Sequence, residues 1–166
     1  LRSFKARGCD LVIFPATTSA EEMLKENPDL IFLSNGPGDP EDLDDVIANL
    51  KELIGKKPIA GICLGHQLLA LTLGGQTGKL KFGHRGGNHP VKDLEDGKVY
   101  ITSQNHGYYV SQIPENMSVT HINLNDNTVD GMRHNELPIY SVQYHPEACP
   151  GPKDNDYIFD KFLELI

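Results

Sequence analysis

Cysteine is scarce: the 166 residues contain only Cys9, Cys63 and Cys149, with no C-x-x-C pair. That excludes a disulfide framework, and it points to free thiols and a reducing, cytoplasmic setting. No apolar run approaches the roughly 20 residues needed to cross a bilayer. No basic stretch followed by an apolar core marks a signal peptide, which leaves the sequon Asn116-Met117-Ser118 without a glycosylation context. Positive charge is also short. The formal net charge of −8 argues against a nucleic-acid partner, because phosphate binding needs a basic face.

Several motifs are absent too. The remaining histidines (His66, His84, His89, His106, His121, His134) show no H-E-x-x-H or other paired ligand spacing, so no metal site is expected. No G-x-G-x-x-G follows a strand. The stretch from Gly74 to Leu80 fails as a phosphate loop because Lys79 is followed by Leu80 rather than Ser or Thr. No nucleotide site is expected in this chain.

What is present is an alternation of apolar runs and helical patterns. Leu11-Val12-Ile13-Phe14, Leu30-Ile31-Phe32-Leu33 and Pro58 through Ile62 read as buried parallel strands. Ser19 with Glu22 forms a capping box that opens a helix, and Asn27-Pro28 stops it. Residues 42–54 carry apolar side chains at helical spacing, Gly55 ends them, and His66 to Leu73 is a second such run closed by Gly74-Gly75. This pattern predicts an α/β domain, a three-layer and mainly parallel open sheet flanked by helices. A small antiparallel portion is expected from short strands at 99–102 and 117–124, and a further short strand is expected at 139–142. A last amphipathic helix is expected over about 157–166. The glycine-rich segment 82–90 reads as irregular. One domain covers 1–166. The opening on a helix that stops at Gly8, with no strand before it, reads as a trimmed piece of a longer polypeptide.

The chemistry concentrates at Gly61-Ile62-Cys63-Leu64-Gly65-His66-Gln67. A thiol between a strand and a helix, flanked by glycines, is the sulfur counterpart of the G-x-S-x-G nucleophile elbow. A buried cysteine is more often a small hydrophobe, but this turn after an apolar strand favours a nucleophile. A helix N-terminus and a protonated imidazole both assist a thiolate. Tyr144-His145-Pro146-Glu147 supplies the imidazole at His145 and, at Glu147, a carboxylate to orient it. Ser34-Asn35-Gly36-Pro37-Gly38-Asp39-Pro40 reads either as an ordinary turn or as a rigid loop whose amides meet a developing oxyanion. The Leu64 amide, one residue past the sulfur, is the second natural donor. Cys9 and Cys149 read as structural or incidental.

These residues resemble a class I (triad) glutamine amidotransferase, a flavodoxin-like fold. Segments 33–40, 81–91, 103–107 and 145–152 are similar to the glutaminase domain of carbamoyl-phosphate synthase small subunits. The resemblance implies that Cys63 attacks L-glutamine to form a thioester, with His145 and Glu147 as its triad partners. It implies an oxyanion hole from Gly36 and Leu64, and a glutamine pocket formed by Gly38, Gln67, Asn105, Gly107 and Tyr108. It implies a partner, the synthetase large subunit, which alone would carry ATP and magnesium and would use the ammonia for carbamoyl phosphate in arginine and pyrimidine synthesis. Family small subunits also carry an N-terminal domain, and that domain and the first strand of the amidotransferase domain are expected to be missing here. Tyr108 stands where many relatives have Phe. Alternative acceptors are anthranilate or guanylate precursors. A non-catalytic interaction module and a cysteine peptidase are the rivals from other classes.

Overall fold

A computed structural model describes residues 1–148 and 153–166. Its helices are α1 (Arg2–Ala6), α2 (Ala20–Lys25), α3 (Asp44–Leu53), α4 (Leu64–Thr72) and α5 (Tyr157–Leu163). Its strands are β1 (Ile31–Leu33), β2 (Ile59–Ile62), β3 (Gln76–Asp93), β4 (Val99–Gln112), β5 (Met117–Asn123), β6 (Val129–His134) and β7 (Ile139–Val142). Among the described residues these strands make one sheet in the order β1-β2-β7-β6-β4-β3-β5.

The parallel part is built as the apolar runs require. β2 pairs with β1 on one side and β7 on the other, both in parallel, with Ile31 beside Ile59 and Ile59 beside Ile139. Every residue of β2 and of β7 is buried. Successive side chains leave a strand on opposite faces. Ile59 and Ile139 join Leu50 and Leu53 of α3 and Leu68 and Leu69 of α4 on one face. Ala60, Ile62, Tyr140 and Val142 join Phe4 of α1 and Ile158, Phe159 and Phe162 of α5 on the other. The parallel strands are therefore the middle of three layers. Each fully buried large side chain contributes about 1.5–3 kcal/mol relative to exposure. The capping box at α2 is present, with the Ser19 hydroxyl accepting from the Glu22 amide and the Glu22 carboxylate returning to the Ser19 amide.

Three expectations need correction. The sheet is not mainly parallel. The pairings β3–β4, β3–β5, β4–β6, β5–β6 and β6–β7 are all antiparallel. The cause is the long hairpin of β3 and β4, which absorbs the segment read as irregular. Its glycines sit where the register breaks, between Lys79 and His84 and between Gly86 and His89. Gly83 and Gly86 take positive φ there (72° and 129°), as bulges in a strongly bent ribbon require. Second, β4 runs ten residues beyond the expected 99–102, and β6 escapes sequence reading because its polar and charged residues hide the alternation. Third, Leu11 to Phe14 is not a strand. Val12 and Ile13 are 62% and 70% exposed, and the outer edge of β1 takes no strand partner among the described residues. An extended segment without a neighbouring strand has no ladder to join.

Candidate active site

The site lies beyond the carboxyl ends of the parallel strands, where open α/β sheets place their ligands. β2 ends at Ile62 and α4 starts at Leu64, so Cys63 alone makes the turn. It does so at φ 50°, ψ −107°, a conformation that non-glycine residues rarely adopt. The turn is held from three sides. The Cys63 amide donates to the Val142 carbonyl at 2.9 Å, and the Cys63 carbonyl accepts from the Gln67 amide at 3.2 Å. Gly65 lies so close to the backbone of Leu33 that no Cβ would fit, and Gly61 packs on Gly65 in the same way. Cys63 is 4% exposed.

The chain leaving β7 brings His145 to the same place. Its amide donates to the Ser103 carbonyl at 2.9 Å, and its Nδ1–H donates to a Glu147 carboxylate oxygen at 2.9 Å. Nε2 is buried and closes no hydrogen bond. Burial works against a charge on this imidazole, but Cys63 and Glu147 outweigh it and raise His145 to about 10. The upward shift favours the protonated imidazole, the state that assists a nucleophilic sulfur. Cys149 and the Pro150-Gly151-Pro152 end of the motif lie outside the described residues.

Cys63 and His145 open into a cleft of about 510 Å³. Gly36, Gly38, Gln67, Asn105, Gly107 and Tyr108 all line it. Gly36 packs on Leu64, whose Cδ2 would stand 2.7 Å from any Cβ placed at position 36. The expected oxyanion residues are thus neighbours. The Gln67 amide nitrogen is already engaged, donating to the Tyr108 carbonyl at 2.8 Å and to Gln143 Oε1 at 3.0 Å. Asp39, Lys79, Arg85 and His106 also line the cleft, and sequence reasoning assigns them no role. Arg85 and His106 sit inside segments singled out by resemblance, whereas Lys79 falls in the failed phosphate loop. Lys79 reaches across the β3–β4 hairpin to the Tyr108 ring, 5.8 Å from its centroid.

Folding also gathers His84, His106 and Asp130, whose ligand-type atoms lie within 4.8 Å of one another. Both nitrogens of His106 are already bonded, Nδ1 with the Tyr108 carbonyl at 2.6 Å and Nε2 with Gln104 Oε1 at 2.8 Å. The cluster is a hydrogen-bonded network as it stands.

The family model described as glutamine amidotransferase class-I matches residues 1–165. The chain belongs to this family. Among curated proteins, this amidotransferase chain is 66% identical over 164 residues to a carbamoyl phosphate synthase small chain of Clostridium perfringens, covering 99% of this chain and 47% of that one. It is 55% identical over 167 residues to the carbamoyl phosphate synthase pyrimidine-specific small chain of Bacillus subtilis, covering 100% and 46%. It spans about half the length of the curated relatives it matches. Among solved structures it is similar to a protein from Thermoplasma acidophilum described as one component of a GMP synthase, with a TM-score of 0.85 at 25% identity, covering 99% of this chain and 84% of that one. No helix among the described residues is long and apolar enough to cross a membrane.

Proposed function

We propose that this chain is a glutaminase domain that hydrolyses L-glutamine through a thioester on Cys63 and supplies ammonia for carbamoyl phosphate synthesis. The observation that carries the reading is the assembly of one strained thiol and one imidazole at the mouth of a single cleft, with the Glu147 carboxylate hydrogen-bonded to that imidazole. Cys63 gives its thiol proton to His145 Nε2, and the resulting thiolate attacks the carboxamide carbon as the C=O electrons move to oxygen. The amides of Gly36 and Leu64 receive that oxyanion. His145 passes its proton to the departing nitrogen, ammonia leaves, and a glutamyl thioester remains. Water, deprotonated by the now neutral His145, attacks the same carbon. Glutamate leaves as the sulfur is released. Glu147 keeps Nδ1 protonated and Nε2 facing the reaction throughout. Gly38, Asn105, Gly107 and Tyr108 hold the amino-acid end of the substrate, with Gln67 bracing the wall.

The acceptor follows from likeness. Identity to carbamoyl phosphate synthase small chains reaches 66%, against 25% for the GMP synthase neighbour. The partner in this reading is a synthetase large subunit that holds ATP and magnesium, and the setting is the cytoplasm. The test is Cys63→Ala in the full-length protein with that partner. Glutamine-dependent carbamoyl phosphate formation should fall by about 10⁴-fold or more, as for other covalent nucleophiles, while ammonia-dependent formation stays. Undiminished use of glutamine would refute the role of Cys63. Glutaminase activity with a partner that makes guanylate or anthranilate would move the acceptor and keep the chemistry.

A further inference from the structure

Behind the cleft wall, a buried acid is linked to the pocket by an unbroken chain of hydrogen bonds. Asp130 of β6 is fully buried. Its Oδ2 accepts from Gln104 Nε2 at 2.5 Å, and its Oδ1 is buried without a partner. Gln104 Oε1 accepts from His106, and His106 donates in turn to the Tyr108 carbonyl. Gln67 of α4 donates to that same carbonyl. The path ends in the segment 105–108, which lines the cleft beside Cys63.

We propose that Asp130 is a positioning residue for this pocket: through the Gln104 amide it fixes the orientation of His106, and through His106 the carbonyl of Tyr108. The inference rests on the glutaminase reading of the cleft. Asp130 touches no reacting atom. With Gln104 turned as it stands, His106 donates from both ring nitrogens and is an imidazolium matched to an Asp130 carboxylate. Neither charge suits its surroundings. Burial pushes His106 down to about 4, opposed by the Tyr108 carbonyl and reinforced by the charges of His84, His145 and His89. Burial likewise raises Asp130 to about 7, against the pull of Gln104. Asp126 does not relieve His106, because it is paired with His84 Nε2 at 2.7 Å.

Half a turn of the Gln104 amide accommodates the uncharged pair once Thr102 Oγ1, which accepts from Gln104 Nε2 at 3.2 Å and donates to the His89 carbonyl at 2.9 Å, turns its hydroxyl toward Gln104. The Asp130 hydroxyl then donates to Gln104 Oε1, and Gln104 Nε2 donates to His106 Nε2. In both arrangements His106 keeps its proton on Nδ1, against Tyr108. The Tyr108 carbonyl selects the proton on Nδ1, and the Gln104 amide gives Nε2 its partner in either arrangement, provided that position 130 can both donate and accept. An asparagine at 130 meets that condition and an alanine does not.

The experiment uses the full-length protein with its synthetase partner and compares Asp130→Asn, Asp130→Ala and Gln104→Leu. Glutaminase KM and kcat are measured, and ¹⁵N spectra of labelled histidine report the protonation and hydrogen bonding of the His106 nitrogens. Asp130→Asn should hold KM within about twofold and keep the hydrogen-bonded ¹⁵N shift of His106 Nε2. The other two should raise KM for glutamine about tenfold, shift kcat by less than about twofold and lose that hydrogen-bonded Nε2 shift, the scale expected when a buried hydrogen bond is broken. Should Asp130→Ala fail to fold, Gln104→Leu against Asp130→Asn makes the same comparison. An unchanged KM and Nε2 shift in the disrupted variants overturns the proposal, as does an Asp130→Asn protein as impaired as Asp130→Ala. If the parent protein shows no glutaminase activity, the functional reading fails, and the histidine spectra alone decide the positioning role.

Discussion

Placing one methyl group at position 65 should disable the sulfur two residues away. A Cβ on Gly65 would meet the Leu33 carbonyl oxygen, with Leu33 Cβ at 2.6 Å and Leu33 C at 2.9 Å, where ordinary contacts start near 3.4 Å. Two of these atoms are main chain of β1, which cannot swing aside as a flexible side chain could. The N-terminus of α4 would have to withdraw by about 1 Å. Overpacking of this kind costs about 1–3 kcal/mol, and the upper end applies where backbone obstructs. The catalytic effect is larger in proportion, because Cys63 is the residue that joins β2 to α4. A displacement of about 1 Å at a reacting atom costs about 10²-fold in rate. Gly65→Ala in the full-length protein should lower the urea midpoint and reduce glutamine-dependent turnover by that factor, with ammonia-dependent turnover retained. A variant with the parent's midpoint and turnover would show that the approach of α4 to β1 does not set the position of the nucleophile.

Two smaller perturbations probe the frame around the site. Ser19→Ala removes the hydroxyl half of the α2 capping box, leaves the backbone amide that donates to Glu22, and should cost about 1 kcal/mol, read as a shift in denaturant midpoint with glutaminase kinetics unchanged. Asp93 is buried, and burial opposes its charge, yet His121, the Glu95 amide and the Tyr157 hydroxyl together hold its pKa well below the usual carboxylate range. A depressed carboxylate stabilises the fold above its unfolded pKa of about 3.9, and that contribution is lost as pH falls through the folded value. Asp93→Asn should therefore lose about 2 kcal/mol at pH 7. The gap to the parent should close on acidification below about pH 4, as followed by urea titrations at several pH values.

The readable parts of the chain are those in which local chemistry and final environment agree. Ile59 to Ile62 is apolar throughout and is buried on both faces, so its sequence states its place. Ser19 and Glu22 make a contact confined to four residues, which needs no knowledge of the rest of the fold. The Cys63 turn is legible because its glycines are demanded by backbone approach on either side. Leu11 to Phe14 misleads for a related reason: a β-like run states what a segment could do, and pairing depends on a neighbour supplied from elsewhere. The β3–β4 hairpin stays hidden because its bulges carry glycines that resemble loop punctuation. Asp130 could not be singled out at all. Nothing next to it in sequence marks it, and its connection to His106 runs through Gln104, 26 residues away on another strand.

The backbone at Cys63 sets durability against reactivity at a single position. A side chain held at φ 50°, ψ −107° gives up about 1–3 kcal/mol relative to a residue free to relax there. Glycine tolerates such angles without that penalty. Evolution toward heat resistance alone would replace this sulfur with hydrogen, and a homologue in which the chemistry had lapsed would be under pressure to make that exchange. Persistence of a thiol at so uncomfortable a point is a signature of use, one that genome surveys can apply to tell working members from silent ones.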